Sequence, residues 1–323
     1  MNSHLIVDLH CDTLLELRFQ SKHLSEYEGH ITPEKLCIGN SLLQSFAVFT
    51  PTNGIAERHQ ITDSPLKWFH DTVDLFDREI TSMPELFMPV RNSYDIRKAP
   101  SQNKISALLT MEDCTAADGN LSNLQTFYDR GVRMIGLIWN YENCMGYPSS
   151  NSPVEHARGL KSFGLESVAE MNRLGIIIDV SHLAEGGFWD VYRNSSSPFI
   201  ASHSCARSLC DHRRNLTDRQ LMALAERGGI CGVNFCSFFL EKGSDFSTNE
   251  QIVHHMRYIA DVAGIDTVAI GSDFDGIECG LEMKDCSGFP GLIAAMKKEF
   301  SPSEIDKICY QNALRVFADV LHD

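Results

Sequence analysis

The sequence lacks several features that would assign it to common classes of protein. No apolar run approaches the roughly 20 residues that a membrane span requires, and no basic segment followed by an apolar one stands near its start. Basic side chains are few, with 28 Lys and Arg against 43 Asp and Glu, so the formal net charge is −15. Because nucleic acids and anionic membranes repel such a chain, we expect neither as a partner. From the missing apolar segments we expect a cytoplasmic protein.

Two sequence motifs are also absent. No Cys-x-x-Cys pair occurs among the eleven cysteines, so we expect free thiols in a reducing compartment and no cysteine metal ligand. No Gly-x-Gly-x-x-Gly turn follows the first predicted strand, which disfavours a dinucleotide-binding sheet. Four cysteines in or beside apolar segments are predicted to be small buried side chains: Cys37, Cys114, Cys231 and Cys309.

What the chain does contain is an alternation of short apolar runs, rich in β-forming residues, with longer segments of helical periodicity. The eight predicted strands are 5–9, 43–49, 105–111, 133–138, 175–179, 198–202, 229–234 and 267–271. The clearest predicted helices are 64–81, 121–130, 164–174, 217–227 and 249–263. The predicted N-caps are Thr217 and Asn249, and the predicted helix stops are Gly131, Gly175, Gly228 and Gly264.

Eight strands that each precede a helix predict a (β/α)8 TIM barrel, because parallel strands need crossover connections and long crossovers are usually helical. A doubly wound open sheet is the alternative. With 43% hydrophobic residues the chain can fill a large core, and no linker or low-complexity tract divides it. We therefore predict one domain over residues 1–323, in which segment 50–104 forms helices that cover the barrel.

Polar side chains stand where the predicted strands end. His10 and Asp12 in "VDLHCDTLLEL" lie two residues apart, so in an extended chain they point to the same side. The other polar residues at strand ends are Glu112, His182, His203 and Asp273. In a barrel these ends form one face, so the six residues are expected to converge at its mouth.

The residue types at this mouth indicate a metal site. Three histidines and three carboxylates without cysteine suit Zn²⁺ or a similar divalent ion. Six candidates exceed the four ligands of one tetrahedral ion, and Glu112 is well placed to bridge two ions about 3.5–4 Å apart. A single histidine at a strand end is usually only a hydrogen-bonding residue, but six polar residues on one face are hard to explain in that way.

The chain resembles the membrane (renal) dipeptidase family of zinc hydrolases, which have amidohydrolase-type barrels. The motifs that carry the resemblance are "DLHCD", "MED", "DVSH", "SHSCARSLCDHRRNL", "GSDFDG" and "NALRVF", which together span nearly the whole chain. The resemblance implies two zinc ions per chain. It implies the following ligands: His10 and Asp12 for one ion, His182 and His203 for the other, and Glu112 as the bridge.

The resemblance also implies residues that act on the substrate. Arg214 matches the arginine that binds the substrate carboxylate, and Asp273 matches the carboxylate that contacts the substrate and shuttles the proton. The neighbouring Arg213 gives the alternative interpretation, in which Arg213 and Arg214 are only a pair of solvated loop charges. Where the renal enzyme has a histidine that holds the scissile carbonyl, this chain has Trp139, whose indole N–H can only donate. The residues considered as replacements for that polar contact are Asn140, Tyr141 and Asn143.

These observations predict a zinc dipeptidase that hydrolyses dipeptides by a hydroxide that bridges the two ions, and the resemblance implies that dipeptides with a D-configured C-terminal residue are among its substrates. One alternative is a metallohydrolase of the same fold that acts on another amide or a lactone. Another is a barrel that has lost catalysis and only binds, although the intact set of six polar residues argues against it. The expected partners are small dipeptide substrates, and a homodimer is the assembly considered.

Overall fold

The computed structural model describes residues 4–322. Its central sheet consists of eight parallel strands, which agree with the eight predicted ones to within a few residues at each end. Their bounds are β1 Ile6–Asp8, β2 Ser41–Phe49, β3 Ile105–Glu112, β4 Val132–Gly136, β5 Ile177–Asp179, β6 Ala201–Ser204, β7 Cys231–Val233 and β8 Val268–Ile270.

The strands form a closed ring. Hydrogen-bonded neighbours follow the order β5-β4-β3-β2-β1-β8-β7-β6. The two ends of this order meet through a parallel bridge between Asp179 and Ile200. There the N–H of Val180 donates to the Ile200 carbonyl at 2.8 Å, and the N–H of Ile200 donates to the Ile178 carbonyl at 2.9 Å. The predicted (β/α)8 barrel is therefore confirmed.

Helices connect the strands and surround them. Their bounds are α1 Thr13–Gln20, α2 Pro33–Ile38, α3 Asn53–Arg58, α4 Pro65–Thr81, α5 Ser93–Lys98, α6 Leu121–Asp129, α7 Pro153–His156, α8 Ser162–Leu174, α9 Glu185–Asn194, α10 Asp218–Glu226, α11 Ser237–Leu240, α12 Asn249–Ala263, α13 Phe289–Met296, α14 Pro302–Asp306 and α15 Asn312–Val320. A π-helical turn spans Lys307–Gln311, and 3₁₀ turns span Leu24–Glu26, Ala99–Gln102, Thr115–Ala117, Ile265–Thr267 and Cys286–Gly288. The short strand Phe87–Pro89 pairs with β3, and Phe246–Ser247 pairs with Gly280–Leu281. No helix within residues 4–322 combines the length and apolar composition needed to cross a membrane.

The predicted helix ends are largely confirmed. Thr217 caps α10 in a capping box with Gln220, as predicted. The N-cap of α12 is Thr248 and not Asn249, because the Thr248 hydroxyl accepts the Gln251 N–H and Asn249 is already helical. The four predicted stop glycines all have positive φ, which an L side chain rarely adopts.

The prediction for the cysteines is wrong at one position. All eleven cysteines are free, and Cys114, Cys231 and Cys309 are buried. Cys37 is exposed, because the short helix α2 buries Leu36 and turns the next residues, including Ile38, towards solvent.

The two ends of the barrel differ in chemistry. One cluster of buried apolar side chains joins residues at or just before the start of several strands, such as Leu42, Ile177 and Ile200, to Val316 and Phe317 of α15. Apolar packing therefore fills the amino end of the barrel. The carboxyl end is left to polar side chains.

Candidate metal centre

The structure brings all six polar residues of the predicted site together at the carboxyl end of the barrel. Each is supplied by a strand or by the loop directly after one, and each side chain is buried. The residues are His10, Asp12, Glu112, His182, His203 and Asp273. Residues more than 260 positions apart in the chain therefore share one site.

Glu112, the last residue of β3, lies at the centre of this cluster. Its Oε1 is 2.9 Å from His182 Nε2 and 3.6 Å from His203 Nε2. Its Oε2 is 3.4 Å from His10 Nε2. Because its two oxygens face different histidines, this carboxylate has the placement that a bridging ligand requires.

His10 connects the two sides of the cluster. Its Nε2 lies 3.4 Å from Asp12 Oδ2 and 3.8 Å from Asp273 Oδ1. Its ring also stacks on the His203 ring, with 4.0 Å between centroids. Among the described residues, two overlapping groups have potential ligand atoms that all lie within 4.8 Å of one another. One group is His10 with Glu112 and His203, and the other is His10 with Asp12 and Asp273.

The donor atoms fit divalent cations. Among residues 4–322, the buried atoms His10 Nε2 and Asp12 Oδ1 form no hydrogen bond, although carboxylate oxygens lie 3.4 Å from His10 Nε2. A buried polar atom without a partner costs free energy, and a bound cation removes that cost. Nitrogen and carboxylate oxygen donors without sulfur match zinc and similar ions.

Strained backbone positions shape the site. His182 and Asp273 have φ of 68° and 64°, in the left-handed region that residues other than glycine rarely adopt. Gly276 follows in the loop after β8. A side chain there would collide with the Asp12 carboxylate and would lie 2.6 Å from Asp273 Oδ1. Glycine at position 276 therefore leaves room for two site carboxylates.

The histidines of the cluster have opposite protonation tendencies. Burial alone would lower the pKa of His10, but the Glu112 and Asp12 carboxylates outweigh it and raise that pKa well above its usual range. Burial and the Arg214 guanidinium lower the pKa of His182 to about 3. Burial and the charge on His10 hold the pKa of His203 well below its usual range. The charged neighbours therefore decide which imidazoles hold a proton.

The carboxylates respond to the same surroundings. Burial and the Glu112 charge raise the pKa of Asp12 to about 6. Burial, joined by Asp12 and Glu112 and opposed by His10, raises the pKa of Asp273 to about 7. Burial would raise the pKa of Glu112 too, but His10 holds it well below its usual range. Asp273 is thus the carboxyl group best placed to exchange a proton near neutral pH.

Arg214 is buried beside the cluster without an ion-pair partner among residues 4–322. Its Nη2 donates to the His203 carbonyl at 3.2 Å and its guanidinium lies 5.5 Å from the centre of the Phe239 ring, while its Nε forms no hydrogen bond within this range of residues. Burial lowers the pKa of this guanidinium, while the Asp273 and Glu112 carboxylates oppose that shift. Arg213 is only partly buried and lines a cavity of about 350 Å³ together with Asn140 and Tyr141. Of the two arginines, Arg214 faces the cluster.

The loop after β4 supplies residues that border the cluster or support it. The Trp139 ring lies 6.3 Å from the His182 ring and edge-on to Phe49 at 4.9 Å, so Trp139 borders the site. Asn140 Oδ1 lies 3.1 Å from His182 Nδ1 and so orients a histidine of the cluster. Asn143 is buried, donates to Asp113 at 2.9 Å and supports the loop. Tyr141 is exposed at the rim.

Several supporting residues escaped the sequence analysis. Asn234, after β7, donates to Asp273 Oδ2 at 2.8 Å. Ser202 and Asp179 form hydrogen bonds beneath His203. The motifs "ASHS" and "DVSH" contain them, but an isolated Ser or Asp beside a histidine carries no signal of its own. Asp275 supports the loop after β8 by accepting hydrogen bonds from Thr13, Tyr27 and His30.

Comparisons with known proteins agree with this geometry. A model of the membrane dipeptidase family, peptidase family M19, matches residues 1–322. An uncharacterized dipeptidase of Schizosaccharomyces pombe is 32% identical over 330 residues, which cover 97% of this chain and 79% of that protein.

Two solved structures have the same fold. The dipeptidase AC, a metallopeptidase of family M19, has a TM-score of 0.88 and 28% identity, with 99% of each chain covered. A metallopeptidase from Rhodobacter sphaeroides, solved with a phosphinate mimic of the dipeptide L-Ala-D-Ala, has a TM-score of 0.88 and 26% identity, with 99% of this chain and 100% of that chain covered.

Proposed function

The chain belongs to the membrane dipeptidase family, peptidase family M19, and is a metallo-dipeptidase; from this premise we propose that it uses two zinc ions to hydrolyse dipeptides, including some with a D-configured C-terminal residue. The observation that carries the zinc proposal is the convergence of three histidines and two further carboxylates around Glu112. The dipeptide mimic bound by the Rhodobacter sphaeroides relative supports the substrate proposal.

We assign the ligands by their place around Glu112. His10 and Asp12 would hold one ion, His182 and His203 the other, and Glu112 would contribute one oxygen to each side. Bound ions supply Lewis acidity and lower the pKa of a coordinated water, so that a nucleophile is available near neutral pH.

Asp273 is the proposed proton carrier. Asn234 holds its Oδ2, whereas Oδ1 lies on the side of the cluster, 3.8 Å from His10 Nε2. Oδ1 is therefore the atom that takes a proton from the attacking water and passes it to the leaving amine. The hydrogen bond from Asn234 keeps the carboxylate from rotating away from this position.

Arg214 is the proposed carboxylate clamp. It is a buried, unpaired guanidinium next to the ligands, and a substrate carboxylate would supply the missing partner. A guanidinium can form two parallel hydrogen bonds with a carboxylate, which orients the peptide as well as binding it. This requirement for a nearby free carboxylate favours dipeptides over proteins. It also argues against lactones and other amides, for which the clamp would have no partner.

Trp139 is the proposed wall of the pocket for the N-terminal residue. Its ring is held between Phe49 and the exposed Tyr141, near His182. A bulky indole narrows the space there, so small N-terminal side chains should be preferred. Asn140 stays a proposed substrate-binding residue through its side-chain NH2 group, while its Oδ1, 3.1 Å from His182 Nδ1, positions that ligand.

Metal analysis combined with a substrate panel tests the function. We expect about two zinc ions per chain, turnover of free dipeptides with L or D C-terminal residues, and much slower turnover of lactones and N-acyl amides. His203→Ala should lose one ion and most activity, whereas His254→Ala, at an exposed position of α12, should lose neither. An active, metal-free wild type would contradict the zinc proposal, and faster turnover of lactones would favour the alternative substrate class. The cytoplasmic location and a homodimer stay predictions.

A further inference from the structure

Beneath the metal centre, Asp179 and Ser202 form a hydrogen-bonded chain that ends on His203. We propose that Asp179, acting through Ser202, is a positioning residue that keeps the proton of His203 on Nδ1 and presents Nε2 to the metal. This inference rests on the proposed role of His203 as a metal ligand. It concerns two residues that lie outside the ligand cluster.

The bonds of Asp179 define the start of the chain. This buried carboxylate, the last residue of β5, accepts the N–H groups of Ser181 at 2.9 Å and Ser202 at 2.8 Å, both on Oδ1. Its Oδ2 accepts the Ser202 hydroxyl at 2.5 Å. An ionised carboxylate can only accept, so the hydroxyl proton of Ser202 must point towards Asp179.

The direction of the next bond follows. Ser202 Oγ lies 2.7 Å from His203 Nδ1. Because the hydroxyl has already used its proton, Oγ can only accept here, and Nδ1 must carry the hydrogen. Nε2 of His203 is then the atom with the free lone pair, and it faces Glu112 Oε1 and His182 Nε2, at 3.6 Å and 3.0 Å.

The surrounding backbone holds Ser202 in place. Gly232 lies on β7, and Gly271 directly follows β8. A side chain at either position would collide with the Ser202 carbonyl. The hydrogen-bonded chain from Asp179 to His203 also crosses from β5 to β6, which are joined by a single β-bridge and not by a regular β-ladder. The side-chain hydrogen bonds of Asp179 and Ser202 therefore add to the two backbone hydrogen bonds that join β5, which leads to His182, and β6, which carries His203.

A second pair of the same kind supplies a matched control. Asp8 accepts the Ser272 hydroxyl at 2.6 Å and the Ser272 N–H at 2.9 Å, across the joint between β1 and β8. Within residues 4–322 the Ser272 hydroxyl has no hydrogen bond to a histidine ring; its other partners are the backbone carbonyl of His10 and the backbone N–H of Phe274. Ser272→Ala thus removes an equivalent bond between strands without touching an imidazole.

The chemistry of Asp179→Asn makes a specific prediction. The amide oxygen must stay with the two backbone N–H groups that Oδ1 accepts, so the amide nitrogen faces Ser202. The nitrogen donates to Oγ, the hydroxyl then donates to His203 Nδ1, and the proton of the ring moves to Nε2. That tautomer cannot bind a metal through Nε2. Asp179→Asn should therefore be more damaging than Ser202→Ala, which only removes the constraint.

The experiment measures the ring and the metal separately. In protein labelled with ¹⁵N-histidine, His203 should show the Nδ1–H tautomer in the wild type and the Nε2–H tautomer in Asp179→Asn. In zinc-loaded protein challenged with a chelator, affinity for one of two ions should fall about 10-fold in Ser202→Ala and about 100-fold in Asp179→Asn. Ser202→Thr, which keeps the hydroxyl, should restore binding, and Ser272→Ala should retain both ions.

The proposal is overturned if Asp179→Asn keeps the wild-type tautomer and zinc affinity, or if Ser272→Ala loses zinc as readily as Ser202→Ala. Thermal unfolding of each variant separates loss of the ligand from loss of the fold. If one of the two substitutions prevents folding, the tautomer of His203 is measured in the other variant. A wild type that binds no zinc would instead contradict the proposed function, while its tautomer would still test the hydrogen-bonded chain.

Discussion

The two sides of the metal centre are built from similar residues and behave in opposite ways. On the side of His10, carboxylates surround the imidazole and raise its pKa well above the usual range. On the side of His182 and His203, burial dominates and Arg214 adds its positive charge, so the pKa of both histidines falls. All three histidines are buried, so the difference between their pKa values comes from the charged groups beside each ring.

This difference has a consequence for metal binding. At neutral pH a cation entering beside His10 must displace a proton that Glu112 and Asp12 stabilise. A cation entering beside His182 and His203 meets two neutral imidazoles, although Arg214 repels it. Glu112 joins the two sides, so it is the residue whose loss should affect both.

The largest expected effect is therefore that of Glu112→Gln. An amide has one oxygen and an N–H₂ group in place of two oxygens, so it cannot serve both sides. We expect loss of metal from both sides and a fall in kcat/KM of more than about 10³-fold. Elemental analysis and dipeptide kinetics measure this. Full retention of two ions would contradict the bridging assignment.

Asp273→Asn should separate chemistry from metal binding on the His10 side. The amide cannot accept the proton, so kcat should fall by about 10²–10⁴-fold while the metal content is retained. Steady-state kinetics on metal-quantified protein is the measurement. A variant with normal kcat would show that another group carries the proton.

Arg214→Met should affect the His203 side and the substrate together. For dipeptides with a free C-terminal carboxylate we expect a loss of about 2–4 kcal/mol in transition-state binding, with much less for amidated dipeptides. Arg213→Met, at the adjacent rim position, is the matched control and should change neither. An equal loss on both substrates would argue against the clamp.

The stability of the metal-free protein should depend on pH through Asp273. Its pKa is raised from 3.8 to about 7, so between these values the folded chain binds the proton more than the unfolded chain does. The stabilising contribution of this group is full below about pH 4 and is lost as the pH rises to 7. Asp273→Asn removes that dependence, so the variant should gain on the order of 2 kcal/mol relative to wild type between these pH values. Urea unfolding of both apoproteins measures the difference, with the exposed Asp319→Asn as control. A difference that shrank with rising pH would contradict the assignment.

The smallest expected effect is that of Trp139→His at the edge of the His182 side. A smaller ring should widen the pocket and change the preference among N-terminal side chains by about 1 kcal/mol, without abolishing turnover. A dipeptide series that varies only the N-terminal residue measures this. An unchanged preference would place Trp139 outside the pocket.

The sequence by itself determined the architecture and which polar residues meet at the carboxyl end of the barrel. Short apolar runs and segments of helical periodicity are local properties of the chain, so β1 to β8 are predictable from their own residues. The rule that carboxyl ends of barrel strands share one face then brings His10 and Asp273 together, although they stand at opposite ends of the chain.

Only the tertiary structure decided which side chains contact one another. Asn140 lay within the predicted loop, yet its bond to His182 depends on where two loops from different strands meet. The same holds for Asp179 and Ser202, whose hydrogen bonds cross the joint between β5 and β6, and for the pKa shifts, which depend on charges only a few ångströms apart. Hydrogen bonds and Coulomb energies act over distances set by packing in three dimensions, and no periodicity in the sequence encodes them.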